Sequence, residues 1–345
     1  MEEEGHGIVI VGGGICGLAT ALALHRSRGV WKVTKKTTQA PIGKEFRCLR
    51  RKDLIETMAK NIPAGSIRFG CHVVAIQQDP GTHGPILTTV DGGTIRAKVL
   101  IGCDGGSSAV ARYLGLSPPK AIPRTVLRGF TAYPHGHPFG AEFLRIRGGG
   151  EFVVGRLPVT RNLVHFFVTM PNPPTGIMLA TKDVSATTTK DFMLEKLRDC
   201  CAPEIVQMVQ DSDPESLNVV NSIRYRSPWQ VALAAFHRGA VTVAGDAMHA
   251  MGPFIGQGGS AALEDAVVLA RSMSRANAAG GGHGAAVREY VRERRPRVAL
   301  LSLESFVAGT LLRARSLVGK LACVAVLALL GTRSLRHADF DCGRL

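Results

Sequence analysis

Three glycine-bearing segments, far apart in the chain, contain residue types that bind a phosphate-rich cofactor. The first is the run Gly-Gly-Gly-Ile-Cys-Gly at residues 12–17, and the second is Asp104-Gly105. The third begins at Gly245-Asp246 and continues through Pro253 into a loop at residues 256–259. Each segment alone is a weak signal. In this order and spacing they predict a flavin site assembled from distant parts of one chain.

The first segment lies between a predicted strand and a predicted helix. Residues 8–11 are an unbroken apolar run, typical of a central parallel strand buried on both faces, and residues 18–25 favour a helix. Strand, glycine turn and helix in this order indicate dinucleotide binding. Gly12 permits the tight turn, Gly14 lets a pyrophosphate approach the backbone, and Gly17 allows the helix to pack closely on the strand.

The other two segments each place an acid directly after an apolar run. Asp104 follows such a run, and Gly105 permits a tight turn, but this pair is as consistent with an ordinary β-turn as with a site. Asp246 follows the run at residues 241–244. A carboxylate at the C-terminal end of a parallel strand lies where open α/β sheets bind ligands, and it can accept hydrogen bonds from a sugar-like hydroxyl.

The loop after Asp246 is predicted to open a helix. Its members Gly256, Gly258 and Gly259 precede Ser260, which we predict as the N-cap. Free N–H groups at that helix start would stabilise negative charge on a reduced cofactor ring. His249 is predicted to be a buried, hydrogen-bonded core residue and not a catalytic group.

Composition limits the class of protein. A chain of 345 residues with 45% hydrophobic and 20% charged residues is typical of one large folded domain or two interleaved ones. The net charge of +15 is high, but the basic residues are scattered and lack interleaved aromatics, so no nucleic-acid partner is predicted. The cysteines show no zinc-ligand spacing, and no metal site is predicted.

Two apolar runs bear on where the protein is located in the cell. The first leads directly into the glycine turn and does not resemble a signal peptide, so we expect a cytoplasmic protein. The second, residues 321–331, lies between Lys320 and Arg333 and is too short to span a bilayer. It favours a buried helix, with contact to a membrane surface as the less favoured alternative.

These residues together resemble the class A FAD-dependent monooxygenases of the para-hydroxybenzoate hydroxylase fold. Within that family the chain is similar to the plant salicylate hydroxylase-like and zeaxanthin epoxidase-like branch. Residues 8–25 resemble the first FAD fingerprint, and residues 47–54 resemble a segment whose arginine, here Arg51, contacts the flavin. The pair Asp104-Gly105 resembles a motif shared between FAD and NADPH. Asp246 would then bind the ribityl chain, with Pro253 and residues 256–259 bordering the isoalloxazine ring.

The resemblance implies an α/β fold with a discontinuous FAD-binding domain. Residues 1–118 and 237–285 would form an FAD- and NAD(P)-binding Rossmann-like parallel sheet. An inserted antiparallel sheet, residues 119–236, would line the substrate side, opposite the flavin, and residues 286–345 would be C-terminal helices.

The resemblance also implies a reaction. NADPH or NADH would reduce FAD, and a C4a-hydroperoxyflavin formed with molecular oxygen would insert one oxygen atom into a small organic substrate, aromatic or unsaturated. Because the cofactor carries the hard chemistry, we name no catalytic acid or base.

One region departs from the family. Only 19 residues separate His25 from Glu45, where the family has several tens more, including a second strand that ends in a ribose-binding acid. Residues 30–34 are the candidate second strand, but Lys35-Lys36 follow in place of the acid. We therefore expect weak FAD binding and incomplete cover over the first strand and helix. Two alternatives stay open: a truncated member with little or no activity, and an NADP-dependent Rossmann dehydrogenase whose Lys35-Lys36 bind a 2′-phosphate. The Asp246 segment argues against the dehydrogenase.

Overall fold

The computed structural model describes residues 4–27, 49–147, 152–172, 186–221, 223–314, 316–330 and 340–343. The candidate second strand at residues 30–34, the pair Lys35-Lys36 and Glu45 lie outside these ranges. The chain divides into two compact units. The described parts of Met1–Lys35, Lys52–Lys120 and Arg224–Leu345 belong to the first unit, and those of Lys36–Arg51 and Ala121–Ile223 belong to the second.

The strands and the helices are numbered separately, each in chain order. The strands are β1 (Glu4–Val11), β2 (Val73–Gln78), β3 (Pro85–Thr89), β4 (Thr94–Gly102), β5 (Lys120–Ile122), β6 (Arg124–Ala132), β7 (Leu144–Arg147), β8 (Val153–Thr160), β9 (Leu163–Pro171), β10 (Asn218–Val220), β11 (Ile223–Tyr225), β12 (His237–Arg238) and β13 (Val241–Val243). The helices are α1 (Ile15–His25), α2 (Arg51–Lys60), α3 (Ala109–Tyr113), α4 (Ala186–Arg198), α5 (Pro203–Gln210), α6 (Pro228–Leu233), α7 (Asp246–His249), α8 (Gly258–Ala278), α9 (His283–Arg313) and α10 (Leu317–Leu330). Among the described residues, no helix is both long and apolar enough to cross a membrane.

The sheet of the first unit is built around β4. This strand pairs in parallel with β1 along one edge and with β13 along the other, while β3, β2 and β12 extend the sheet with antiparallel pairings. The predicted parallel core is therefore confirmed, within a mixed sheet. Val11 and Val243 both lie level with Gly102, so the three parallel strands end together. Each of the three motifs follows directly from one of these strand ends.

Strand β1 differs from the strand predicted for the run at residues 8–11. Among the described residues it pairs only with β4, and Ile8, Val9, Ile10 and Val11 are half-buried where burial on both faces was expected. The physical reason is that β1 lies at the edge of the described sheet, with β4 covering one side only. The incomplete cover that the shortened segment predicts is therefore observed for β1, but not for the first helix, because α1 is well packed against α2 and α8.

The second unit contains a five-stranded antiparallel sheet in the order β10-β6-β9-β8-β7, which confirms the predicted inserted sheet. Side chains along β9 alternate, with Val164, Phe166 and Val168 fully buried and the residues between them half-buried. The buried face forms one core with α4 and α5. The opposite face is therefore the half-buried one.

Three short segments differ from what their sequence predicts. The apolar-containing run at residues 67–69 predicts a strand, but these residues have no regular structure. Residues 191–209 predict a single helix, but the structure has two, because Pro203 at the first position of α5 cannot continue α4. The Gly-rich stretch at residues 278–286 predicts a surface loop, but the loop is shorter, since α9 already begins at His283.

We predict that the backbone amides of β1 exchange hydrogen with solvent faster than those of β4. An edge strand leaves half of its amides without a strand partner, whereas β4 is paired along both edges. We expect the average rates to differ by roughly tenfold or more. Hydrogen–deuterium exchange of peptides covering residues 4–11 and 94–102 measures this, and equal protection would show that β1 is covered on both edges.

Candidate functional site

The first two motifs touch each other through their backbones. Gly12 has a φ of 116°, and a Cβ at this position would overlap the carbonyl group of Cys103, immediately before Asp104. A Cβ at Gly17 would in turn overlap the carbonyl oxygen of Gly12. Only glycine permits this approach, so β1, α1 and the end of β4 meet without a gap.

The third motif packs on the first. Gly245 has a φ of 60°, and a Cβ here would lie 2.9 Å from the Cβ atom of Cys16 and 3.0 Å from its Sγ atom. A side chain at Gly245 would therefore push the third motif away from α1. Motifs that are separated by more than 200 positions of sequence thus converge at one place in the first unit.

The helix that starts at this convergence has an open N-terminus. Gly14 is the N-cap of α1, no side chain caps the helix, and its first turn contains no acid. The first N–H groups of a helix have no partner within the helix and carry a partial positive charge. They are suited to binding a phosphate group.

A second uncapped helix begins after the third motif. Helix α8 starts at Gly258 with Gln257 as its N-cap residue, and no side chain caps it. The prediction that Ser260 caps this helix is wrong, because the helix begins two residues earlier and Ser260 lies in its first turn.

The residues before and within the first turn of α8 leave space for a ligand. Pro253, Gly256 and Gly259 are exposed, and Gly258 is half-buried. A Cβ at Gly256 or Gly259 would meet no atom of the described residues within 4 Å. The loop can therefore approach a flat group closely with its backbone.

Asp104 has one oxygen engaged and one oxygen unpaired. Its Oδ2 atom accepts a hydrogen bond of 2.7 Å from the backbone N–H of Ala109, at the start of α3. Its Oδ1 atom is buried and has no hydrogen-bond partner among the described residues. Gly105, with a φ of 74°, makes the turn between Asp104 and Ala109. The pair is thus a structural turn that also offers one buried acceptor atom.

Asp246 is the exposed member of a buried segment. Gly245, Ala247, Met248 and His249 are all buried, but the Asp246 side chain is exposed. Among the described residues it has no hydrogen bond or ion pair. A free carboxylate at the end of a parallel strand is available to accept hydrogen bonds from hydroxyl groups.

Arg51 is the first residue of α2 and is exposed. Its predicted contact with a flavin stays a prediction. A second group of residues was not identified from the sequence. It is buried next to the third motif.

That group is a fully buried cluster around the carboxylate of Asp265. Its Oδ2 atom accepts a 2.8 Å hydrogen bond from the backbone N–H of Gly245 and a 2.6 Å hydrogen bond from Nε2 of His249. Its Oδ1 atom accepts a 2.7 Å hydrogen bond from Nε of Arg294. Asp265, His249 and Arg294 each have no exposed surface. The cluster joins α7, α8 and α9 to the turn that precedes Asp246.

The charges of this cluster compensate one another. Burial by itself would raise the pKa of Asp265, but His249 and Arg294 outweigh it and hold this pKa well below its usual range. Burial likewise opposes the charge on Arg294, and the nearby Asp265 and Glu264 carboxylates raise its pKa above its usual value. Asp265 is therefore an anion at neutral pH, and the prediction that His249 is a buried, hydrogen-bonded residue is correct.

A sequence signal for this cluster existed. Asp265 lies four residues from Ala261 and from Leu269, and Arg294 lies four residues from Tyr290 and from Val298. All four neighbours are buried. A charged residue at the apolar spacing of a helix is buried and needs a partner of opposite charge.

Comparison with known proteins identifies relatives of the chain. A protein family described as an FAD binding domain matches residues 49–131 and 154–304. Monooxygenase 1 of Arabidopsis thaliana is 40% identical, with 100% of both chains covered, and Monooxygenase 2 of the same plant is 33% identical over 80% of this chain and 79% of its own. The structure of Klebsiella pneumoniae HpxO, complexed with FAD and uric acid, shares the fold with a TM-score of 0.72, at 22% identity over 97% of this chain and 96% of its own.

The alignment with Monooxygenase 1 contains a gap. It extends over 411 residues and covers the whole of both proteins, whereas this chain has 345 residues. At least 66 aligned positions therefore have no residue in this chain. This agrees with a shortened chain.

We predict that Asp265→Asn destabilises the protein in a pH-dependent way. The substitution leaves the buried Arg294 with Glu264 as its remaining anionic partner and removes the charge that His249 and Gly245 also contact, which costs roughly 3–5 kcal/mol at neutral pH. Because the pKa of Asp265 is lower in the folded protein than in the unfolded chain, its stabilising contribution is present above about pH 4 and is lost as the pH falls further.

Chemical denaturation at a series of pH values measures this effect. The difference in unfolding free energy between the natural protein and Asp265→Asn should shrink below about pH 4. Asp191→Asn, which changes an exposed carboxylate on α4, is the control and should change stability by less than about 0.5 kcal/mol. A difference that is the same at every pH would contradict the assignment.

Proposed function

The chain belongs to the FAD-dependent monooxygenases, and we propose that it uses NADPH or NADH and molecular oxygen to insert one oxygen atom into a small aromatic substrate. The family match identifies FAD as the cofactor. The observation that carries the proposal is the convergence of the three motifs at the level ends of β1, β4 and β13. The family match favours this reading over an NADP-dependent dehydrogenase.

The residues present at this convergence fit FAD. The open N-terminus of α1 suits its pyrophosphate, and that of α8 suits the electron-rich edge of its ring system. The free carboxylate of Asp246 suits the hydroxyls of the ribityl chain, and the unpaired Oδ1 atom of Asp104 accepts a further hydrogen bond. When bound, FAD supplies redox chemistry and oxygen activation. The chain contributes binding, orientation and charge.

The half-buried face of the sheet in the second unit fits an aromatic substrate. Arg128, Phe167, Gly155 and Arg145 form one row across β6, β9, β8 and β7, because paired residues of antiparallel strands share a face. The Phe167 ring lies over Gly155, where a Cβ would overlap it, and stacks against Phe143 at a centroid distance of 6.2 Å. A planar ring can stack on such a surface.

The two arginines of this row add a charge preference. Arg128 and Arg145 are exposed, and neither has an ion-pair partner among the described residues. A guanidinium group binds a carboxylate through two parallel hydrogen bonds. We therefore propose an aromatic acid, or an aromatic compound with a comparable anionic group, as the substrate class.

His165 is a polar group on the same face, two residues before Phe167 on β9. Burial, with a contribution from Arg128, lowers its pKa to about 4, so the ring is neutral at pH 7. Nδ1 lies 3.2 Å from the carbonyl oxygen of Gly129, which can only accept, so Nδ1 carries the proton. Nε2 is left as an acceptor, and we propose that it orients a substrate hydroxyl group.

A second candidate is a shortened family member with weak FAD binding. Two observations favour it: at least 66 positions are absent relative to Monooxygenase 1, and β1 lacks a described partner on one edge. Both candidates share the fold and the cofactor. They differ in the fraction of purified protein that retains FAD and in the rate of turnover.

We predict that Asp246→Ala reduces flavin binding. Loss of a charge-assisted hydrogen bond costs about 1.5–3 kcal/mol, which corresponds to a 10- to 150-fold rise in the Kd for FAD. Titration of the FAD-free protein with FAD, followed by flavin fluorescence, measures the change. Asp199→Ala, at an exposed aspartate of the second unit, should leave the Kd unchanged. An unaltered Kd in Asp246→Ala would remove Asp246 from the site.

We predict that aromatic acids stimulate oxidation of NADPH or NADH by the FAD-loaded protein, with formation of a product that contains one oxygen atom from ¹⁸O₂. Arg128→Gln should raise the KM for an aromatic acid by about 10-fold or more and alter the KM for the matching neutral aromatic amide much less.

Arg198→Gln, at an exposed arginine of α4, is the control and should match the natural protein. If the protein retains FAD but shows no stimulation with either nicotinamide, the second candidate is favoured. If neutral and anionic aromatics respond equally to Arg128→Gln, the proposed charge preference is wrong.

A further inference from the structure

Helix α10 presents an apolar stripe to solvent. The stripe consists of Leu317, Leu321, Val324 and Ala328, spaced by four, three and four residues, and of their neighbours Val318, Ala325 and Leu329. At 3.6 residues per turn these residues lie on one side of the helix. Leu317 is 70% exposed, Val318 is 77% exposed and Leu329 is 86% exposed. We call these seven residues the α10 stripe.

The other side of α10 faces the protein. Cys323 is buried, Leu327 is half-buried, and the helix packs on α9. Among the described residues, the helix is therefore packed through one narrow side, and no described residue covers its wider apolar side. This corrects the prediction that the apolar run at residues 321–331 forms a buried helix. Exposed contiguous apolar surface of this kind is uncommon on a soluble protein and marks an interaction site.

The sequence around α10 has one sign of charge. Between Glu304 and Asp339 there is no acidic residue. The same segment contains five basic residues, namely Arg313, Arg315, Lys320, Arg333 and Arg336. Lys320 is exposed on α10 itself and lies near the edge of the stripe, where a lysine can keep its ammonium group in a polar layer while its stem lies on apolar surface.

We propose that the α10 stripe binds the surface of a membrane that contains anionic lipid. An apolar helix side flanked by cations and free of acids matches the boundary between acyl chains and anionic headgroups. A helix of 14 residues is about 21 Å long, shorter than the roughly 30 Å hydrocarbon core, so α10 lies along the surface.

Charge also distinguishes lipid from a second copy of the chain. Self-association through the α10 stripe would bring two segments of five cations together without an acid between Glu304 and Asp339 to offset them. Like charges that face each other across an interface are unfavourable. An anionic lipid surface supplies the opposite charge.

Flotation of the FAD-loaded protein with vesicles tests this proposal. We expect binding to vesicles of phosphatidylcholine and phosphatidylserine, weaker binding to vesicles of phosphatidylcholine alone, and a decrease as salt concentration rises. The triple variant Val318→Gln, Leu321→Gln and Leu329→Gln should lower binding more than roughly tenfold. Lys320→Glu should lower binding to the anionic vesicles about fivefold or more, with a smaller effect on neutral vesicles.

A matched triple variant outside α10 is the control. Phe69→Gln, Val90→Gln and Leu233→Gln remove three other exposed apolar side chains and should leave vesicle binding unchanged. Circular dichroism and flavin content verify that each variant is folded. The proposal is overturned if the natural protein binds neither vesicle, if both triple variants bind like the natural protein, or if the α10 triple variant only converts a dimer in solution to a monomer.

Discussion

The buried carboxylate of Asp265 is the interaction on which the cofactor-binding geometry depends. It accepts hydrogen bonds from the backbone of Gly245, from His249 and from Arg294, so one anion connects three helices to one strand end. A buried anion is stable only when it is fully paired. Small displacements of its partner groups would therefore destabilise the arrangement. The exposed carboxylate of Asp246, for which we propose a role in binding the ribityl chain, is thus held in place by a residue that is itself fully buried.

Close backbone contact supplies the complementary constraint on the first motif. Gly12 and Gly245 both have positive φ and both lie against neighbouring chain, so the turns interlock without any side chain between them. Neither the ion pairs nor the packed glycines cap the N-termini of α1 and α8, which have no side-chain cap. The site therefore combines a rigid support with unpaired backbone donors, which is the combination that binding of an anionic cofactor requires.

Sequence was sufficient where the signal is local. The strand, glycine turn and helix at residues 8–25 are encoded in neighbouring residues and were predicted correctly. The alternation of buried and half-buried residues along β9 is likewise a local pattern. It was insufficient where distant residues decide the outcome. The pairing of Asp265 with Arg294 joins positions 29 apart, and the exposure of α10 depends on how few elements pack around it. The N-cap of α8 was wrongly assigned to Ser260 because Gly258 and Gly259, poor helix formers, already belong to the helix.

The partly covered strand β1 has a consequence for how much folded protein a cell maintains. Strand β1 has strand pairing along one described edge only, and it leads into the turn for which we propose a role in cofactor binding. Under that proposal, the stability of β1 and the binding of the cofactor depend on the same segment. A ligand that binds only the folded state stabilises it by an amount that grows with ligand concentration, about 2.7 kcal/mol at one hundred times the Kd. That amount is a large share of the net stability of a typical domain. We therefore expect the amount of folded protein to rise with the supply of flavin, because unfolded chains are open to proteolysis.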